Sequence, residues 1–477
     1  MRNAKLFCLV IVNIVLSVFI IDRVQGVLIP KDYVDCTDAV DGFYDLEPES
    51  VDVLVIGSSN AFCTINPLEL YSEFGITAYD FCTSAQPISI TSLYLKEALK
   101  YQKPQVVCLE VYMVADRDNT EMNETVRRWG YNDIKPSIEK IRNLYEVTKR
   151  NDDDFLTYLL PIIKYKERWK GLTETDFIEG ETYTKGYFST EIICSEPLDF
   201  EQYKNSMATY SFEPIKLSYL DQIRTICDEA GIELLLFKAP RVDWDISQSN
   251  AIREYAEKYN LTFLDYMELM ETIGINNESD FRDPWHLNNA GAKKVTLNLG
   301  QYIKEHYDVK DRRNGMAKDW DADIVVREEK MLFDKLAEVN SFDEYLSNIR
   351  KCSNLIIMIN TGDKYEIGYD EIQILESLLG TNYEKKYNHS IIANKKLYLV
   401  NENTEYVYLE EGKNEFLIER LDNCYNYYIN RQLYSMDSDI GIIVFDKTLN
   451  QVIDVALFSK DNESLKRVEE NANENAF

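Results

Sequence analysis

Val51-Asp52-Val53-Leu54-Val55-Ile56-Gly57-Ser58-Ser59-Asn60 runs from an apolar stretch into a glycine and two serines. Its first seven residues read as a strand buried on both faces that stops at a small-residue turn. Outward from it, Pro67–Phe74 reads as a helix and Ile76–Phe81 as a second strand. Ser92–Tyr101 has helical spacing (Leu93, Leu95, Ala98, Leu99) ahead of Pro104, and Gln105–Val111 is a third apolar strand. Strands alternating with helices at this spacing specify a parallel sheet covered on both faces. The alternation breaks at Ala115. From there to about Met207 the chain is charged and aromatic, with helical patches at 138–149 and 155–169, and is expected to be an insertion over the sheet. The α/β pattern resumes with Pro214–Ala230, Ile232–Ala239, Ala251–Tyr259 and Thr262–Asp265, and closes with a helix at Ala290–His306.

A chain of 477 residues exceeds one ordinary core, so a second folded unit is expected. Lys310–Asp323 reads as the start of a polar linker, taken to extend to residue 340. Beyond it, Ser341–Cys352 and Tyr369–Leu379 have helical patterns. Asn354–Asn360, Lys396–Val400, Tyr406–Leu409, Glu415–Leu421, Ile440–Phe445 and Val452–Phe458 have strand patterns. The acidic, Asn-rich tail from Lys460 to Phe477 is expected to fray.

At the amino terminus, Arg2 and Lys5 precede a 16-residue apolar run, Leu6–Ile21, broken only by Asn13 and Ser17. A basic flank before an apolar segment is the pattern of a signal peptide or an uncleaved anchor. The run is slightly shorter than the roughly 17–25 residues that span a bilayer, and no Ala-x-Ala site follows. The expectation is an anchor over 1–26 with everything after Gly26 outside the membrane; the alternative is a buried helix.

The formal charge is −30, from 52 Lys and Arg against 82 Asp and Glu. That balance excludes nucleic acid as an expected partner, because phosphate binding draws on basic clusters. The nine cysteines include no Cys-x-x-Cys pair and no zinc-type cluster, so neither a metal site nor a cofactor is expected. A Cys63–Cys82 disulfide is left open.

Histidine is the scarce component of nucleophilic catalysis, and the chain has three. His306 ends the last helix of the α/β pattern, and His389 follows Lys385, Lys386, Tyr387 and Asn388 in an expected surface loop. His286 alone has a carboxylate three residues earlier, in Asp283-Pro284-Trp285-His286-Leu287-Asn288. A carboxylate can hold an imidazole in the tautomer that accepts a serine proton. A structural histidine bonded to a local carboxylate is the competing reading. Ser59, after the first strand, lies where an open α/β sheet presents its crevice, and helix amides there can stabilise an oxyanion.

Together, Gly57-Ser58-Ser59 and Asp283-Pro284-Trp285-His286, followed by Leu287–Ala292, resemble the SGNH (GDSL-like) hydrolase superfamily. The likeness covers about residues 50–306 and is greatest to membrane-anchored DltD-like and alginate O-acetylation proteins. It implies a flavodoxin-like three-layer α/β/α domain with a parallel sheet over 27–309, carrying the insertion at 115–207. It also implies Ser59 as nucleophile, His286 as general base and acid, and Asp283 as the orienting carboxylate. Two departures stand out. Ala85 takes the place of a glycine whose amide helps form the oxyanion hole, next to Gln86. The third strand ends Leu109-Glu110-Val111-Tyr112 without the oxyanion-donating Asn. Asn60, Ala85, Gln86 and Glu110 are therefore candidates for oxyanion or substrate contacts, with Glu110 equally readable as a sheet-end carboxylate. Arg168-Trp169-Lys170 could wall a sugar polymer or pack as a structural Trp, and Lys238 or Arg241 could reach the crevice.

Residues 341–460 are similar in pattern and order to the interleukin-like EMT inducer domain. That likeness implies a smaller β-rich α+β module that binds carbohydrate or a surface partner, an accessory domain being the other reading. The function implied is an extracytoplasmic serine O-acyltransferase or esterase acting on a cell-surface glycan. Its acyl donor would be a membrane-bound O-acyltransferase, and its link to the membrane the N-terminal helix. The alternative is an inactive scaffold that binds glycan.

Overall fold

The computed structural model describes residues 13, 16–17, 20–21, 23–30, 37–117, 123–177, 182–205, 207, 209–350, 352, 354–361, 373, 376, 389–394, 396–400, 405–421, 424–436, 438–461 and 464–468. The chain divides into two compact units, Met1–Ile324 and Val325–Phe477.

In the first unit, β1 (Val53–Ile56), β2 (Ala78–Asp80), β3 (Val106–Glu110), β4 (Glu233–Lys238) and β5 (Thr262–Asp265) form one parallel sheet. Its order, β2-β1-β3-β4-β5, is that of the flavodoxin-like doubly wound fold. Alternation along β1 shows why the strand reads as continuously apolar. Leu54 and Ile56 enter a core with the helices Ile88–Ala98, Pro214–Ala230 and Ile246–Tyr259. Val53 and Val55 enter the opposite core with the helix Asn289–His306. All four are fully buried, so both faces are covered and no polar residue is tolerated on either. The result is the three-layer α/β/α arrangement.

Helix boundaries follow local chemistry. Asn66 caps Pro67–Phe74 by accepting from the amides of Leu68 and Glu69, and Gly75 ends it in the left-handed conformation. The second strand, Ala78–Asp80, lies within its expected limits but is shorter, and the helix after it is displaced. Ile88–Ala98 begins directly after Pro87, four residues before the expected Ser92, because its first turn is buried rather than amphipathic. In the insertion, the helix Ile138–Asn151 packs on Ile88–Ala98, and the segment 185–194 returns to run beside the end of the sheet.

The expected polar linker is corrected over much of its length: Lys318–Leu336 is a helix. Trp320 is buried in the first unit's core, and Phe333 and Leu336 are buried in the second's. These widely spaced apolar residues organise a segment whose composition alone reads as polar.

The second unit is β-rich. β8 (Leu355–Thr361), β9 (His389–Ala393), β10 (Lys396–Leu399), β15 (Ile440–Asp446), β16 (Gln451–Asp461) and β17 (Ser464–Val468) form an antiparallel sheet in the order β10-β9-β8-β15-β16-β17. The meander β11 (Tyr406–Glu411), β12 (Asn414–Leu421), β13 (Cys424–Ile429) and β14 (Gln432–Tyr434) forms another sheet. One face of the larger sheet packs on the helix Phe342–Ile349, the other on the meander's Phe416, Ile418, Tyr427 and Ile429. Two expectations are corrected. Part of the expected frayed tail is β17, whose backbone pairs with β16 and whose Leu465 is buried. His389 lies in β9, not in a loop; its Nδ1 bonds the Tyr427 hydroxyl at 2.7 Å and its ring stacks on Tyr425. The helix expected at 369–379 lies outside the described residues, apart from residues 373 and 376.

Among the described residues no helix is long and apolar enough to cross a membrane, and the apolar run 6–21 lies mostly outside them.

Candidate active site

β1 ends at Ile56 and the chain turns sharply through Gly57, whose φ is +153°. A Cβ at Gly57 would stand 3.0 Å from Glu110 Cβ and 3.1 Å from Ala61 Cβ, so the turn closes only around glycine. The turn delivers Ser59 to the first position of the short helix Ser59–Phe62, at the carboxyl end of the sheet.

The opposing side is a tight hairpin, β6 (Phe281–Asp283) and β7 (His286–Leu287). Asn288 then caps the helix Asn289–His306 by accepting from Ala290 and Gly291 amides. Asn288 also anchors the hairpin, donating Nδ2 to the carbonyls of Ser279 (2.7 Å) and Ile192 (3.2 Å). This places both ring nitrogens of His286 in use. Nδ1 lies 3.0 Å from each oxygen of Asp283, and Nε2 lies 2.9 Å from Ser59 Oγ. A carboxylate at Nδ1 keeps the proton there, leaving Nε2 free to accept from the serine hydroxyl. The three side chains are part-buried: His286 is 14 % exposed and Asp283 27 %.

Asp283 has further partners. Arg282 donates Nε to Oδ2 at 2.9 Å, and the Trp285 amide donates to Oδ1 at 2.8 Å. Burial opposes its ionisation, but the bonds from His286, Arg282 and Trp285 outweigh it and hold the carboxyl well below its usual range. Its folded value is depressed, so its stabilising contribution is present above the ordinary carboxylate range and is lost only as the pH falls through that depressed value. Through mild acid Asp283 stays ionised and keeps the His286 ring oriented.

The other candidates take different places. Ala85 adopts φ +47°, the left-handed region. A residue with a Cβ holds that conformation only under strain. Gln86 is fully buried and committed within the loop, donating Nε2 to Thr91 Oγ1 and accepting from Thr83 Oγ1, both at 3.0 Å. It is corrected from a substrate contact to a loop brace. Glu110 is likewise engaged: Oε1 lies 2.7 Å from Lys238 Nζ, and Oε2 accepts from the Tyr112 amide at 2.9 Å. Neither member of that pair is exposed, so Glu110 takes the sheet-end reading and Lys238 is corrected from a crevice contact to an internal support. Asn60 is 2 % exposed, and its side chain faces the hairpin and Arg241. Arg168 binds Asp176 within the insertion and the Leu28 carbonyl outside it, while Trp169 is 65 % exposed. Cys63 and Cys82 are buried and are not joined to each other in a disulfide.

Composition and spacing missed Arg282 and the exposed Trp285. A basic residue adjoining the Asp-x-x-His carboxylate was the available signal for the first. The insertion's strap was also missed: Asn289 accepts from Tyr187 and from the Thr190 amide, and the Cys194 amide donates to Phe281. No spacing rule links residues about 100 positions apart.

Asp80 ends β2, opposite Val55 in register. It is fully buried, and neither carboxyl oxygen has a hydrogen-bond partner among the described residues. Burial pushes its carboxyl well above the usual range, so the folded chain keeps a proton that the unfolded chain releases. Stability therefore falls as pH rises from the ordinary carboxylate value towards the raised one, by at most about 1.4 kcal/mol per pH unit. Asp80→Asn is expected to raise Tm relative to wild type more at pH 8 than at pH 5. Thermal unfolding at both values checks this, and an equal effect at the two pH values contradicts it.

No family model matches the chain, and no curated protein does. Chains of solved structures do match. Among them is a crystallised "putative acylhydrolase" from Bacteroides fragilis NCTC 9343, at TM-score 0.28 and 10 % identity, covering 58 % of this chain and 97 % of that one.

Proposed function

We propose that Ser59, His286 and Asp283 form the catalytic triad of an extracytoplasmic serine acyltransferase or esterase. Its substrates would be O-acyl groups, acetyl first, of a cell-surface polysaccharide. The observation that supports this reading is the continuous chain of hydrogen bonds from Asp283 through both nitrogens of His286 to Ser59 Oγ. A merely structural histidine needs the first bond and not the second.

The chemistry follows from those positions. Ser59 Oγ attacks the acyl carbonyl carbon as His286 Nε2 takes the hydroxyl proton, giving a tetrahedral intermediate. The C–O bond to the leaving alcohol breaks, and His286 returns the proton to that oxygen. A sugar hydroxyl or water then attacks the acyl-serine, giving its proton to His286, which returns it to Ser59 Oγ. The negative oxygen of each intermediate would be held by the Ser59 and Ala85 amides. Glu110, already bound to Lys238, gives no third donor; loss of one such donor costs about 10²–10³ in rate. In this reading the N-terminal segment anchors the chain, and a membrane-bound O-acyltransferase supplies the acyl group.

A second reading, glycan binding without turnover, is favoured by one surface. Tyr408, Leu417, Tyr428 and Leu433 form a single cross-strand row on the meander. A depression of about 250 Å³ there is bordered by Glu415, Glu419 and Arg431. Rings flanked by carboxylates suit sugar stacking and hydroxyl hydrogen bonds.

A fluorophosphonate probe separates the readings. Wild type is expected to be labelled at Ser59, with labelling lost in Ser59→Ala and His286→Ala. A folded wild type that stays unlabelled removes the enzyme reading. Transfer is then distinguished from hydrolysis by supplying an acyl ester with and without glycan acceptors.

A further inference from the structure

Asn60 follows the serine directly, yet it is turned inwards. With its amide oriented as its neighbours require, oxygen towards the guanidinium and nitrogen towards the carbonyl, Nδ2 donates to the Trp285 carbonyl at 3.2 Å and Oδ1 accepts from Arg241 Nη1 at 2.9 Å. Trp285 is the residue just before His286. Arg241 is itself immobilised: Nε and Nη2 bind the two oxygens of Asp243, the latter at 2.6 Å, and its guanidinium lies 3.5 Å from the Tyr112 ring centroid. The next residue, Val242, donates its amide to the Pro284 carbonyl at 3.0 Å. Two consecutive carbonyls of the Asp283–His286 turn are thus gripped, one by the loop after β4 and one by the residue beside Ser59.

We propose that Asn60, braced by Arg241, is a positioning residue that fixes the Asp283–His286 turn at the spacing His286 needs to meet Ser59. The proposal rests on the triad reading for its chemical meaning, while the clamp itself is geometric. The Nε2–Oγ bond of 2.9 Å requires the nucleophile turn and the hairpin to keep a constant separation. Asp283 sets the ring's rotation but belongs to the same turn as His286, so it cannot set the distance to Ser59. Asn60 spans the two segments and can. With its amide engaged at both ends and 2 % exposure, it is placed to hold the turn and not to meet a substrate.

The test uses the full chain with Asn60→Leu and Asn60→Asp. Leucine removes both bonds at similar volume. Aspartate keeps the acceptor for Arg241 and loses the donor to Trp285. Both variants are expected to show a maximal fluorophosphonate inactivation rate about 100-fold below wild type, with the half-saturating probe concentration unchanged. The downfield NMR signal of the His286 Nδ1 proton, identified by its absence in His286→Ala, is expected to broaden or vanish in both. Asn60→Leu reacting at the wild-type rate, or keeping that signal sharp, overturns the proposal. Should the Asn60 variants fail to fold, Arg241→Lys serves instead. An ammonium cannot fork onto Asp243 and reach Asn60 together, so the rate is expected to fall about 10-fold, and a wild-type rate overturns the clamp. A wild type that the probe never labels defeats the enzyme reading alone, because the NMR signal in the variants still decides the clamp.

Discussion

Asp283→Asn is expected to slow acylation of Ser59 by about 10⁴-fold while leaving the fold intact. An amide at this position presents one acceptor and one donor where the carboxylate presents two acceptors. The carboxylate now receives bonds from His286, Arg282 and the Trp285 amide. The variant must place its NH₂ against one of these donors, and the proton on His286 then moves to the nitrogen facing Ser59. In that tautomer the imidazole cannot accept the serine proton. The measurement is the fluorophosphonate inactivation rate of Asp283→Asn beside wild type, with thermal unfolding as the control for folding. A loss of less than about tenfold would show that Asp283 does not orient the ring.

Glu110→Gln is expected to destabilise the first unit by about 3–5 kcal/mol, the usual cost of stripping one partner from a buried ion pair. Glu110 and Lys238 have no exposed side-chain surface, and burial lowers the lysine's affinity for its proton while Glu110 restores part of it. Removing the carboxylate charge leaves an ammonium in a dry layer beneath the Gly57 turn, with the Ala239 carbonyl still accepting at 2.8 Å. The double variant Glu110→Gln/Lys238→Met removes both charges and is expected to recover a large part of the loss. Denaturant unfolding of the wild type, the two single variants and the double variant gives the coupling directly. Additive losses would mean the pair is not coupled.

The strands of the first sheet were legible because each is buried on both faces, which demands unbroken apolar runs that local sequence displays. The second unit was less legible. β13 (Cys-Tyr-Asn-Tyr-Tyr-Ile, 424–429) places an Asn among aromatics. There Asn426 faces away from the core with Tyr428 while Tyr427 and Ile429 face in. Half-buried strands in a meander take their pattern from neighbours that sequence does not identify. The same limit applied to Ser464–Val468, a mostly polar run held by its ladder with β16, by the buried Leu465 and by the Arg467–Asp454 ion pair.

Ser59, Asp283 and His286 were nameable from sequence because their chemistry is scarce: three histidines, one with a carboxylate three residues before it, and one serine turn after the first buried strand. Local sequence also marked Gly57, because the turn after that strand called for a residue without a side chain. What only the tertiary structure decided is who is free to act. Gln86, Glu110 and Lys238 have chemistry suited to a site, yet the packed chain commits each to an internal partner, since a buried polar group without one costs free energy. Asn60 and Arg241, about 180 positions apart, became a clamp on the His286 turn by the same rule. Spacing along a chain can pair residues within a turn; it cannot tell which distant partner will satisfy a buried amide or charge, because that depends on which segments the fold brings within 3 Å.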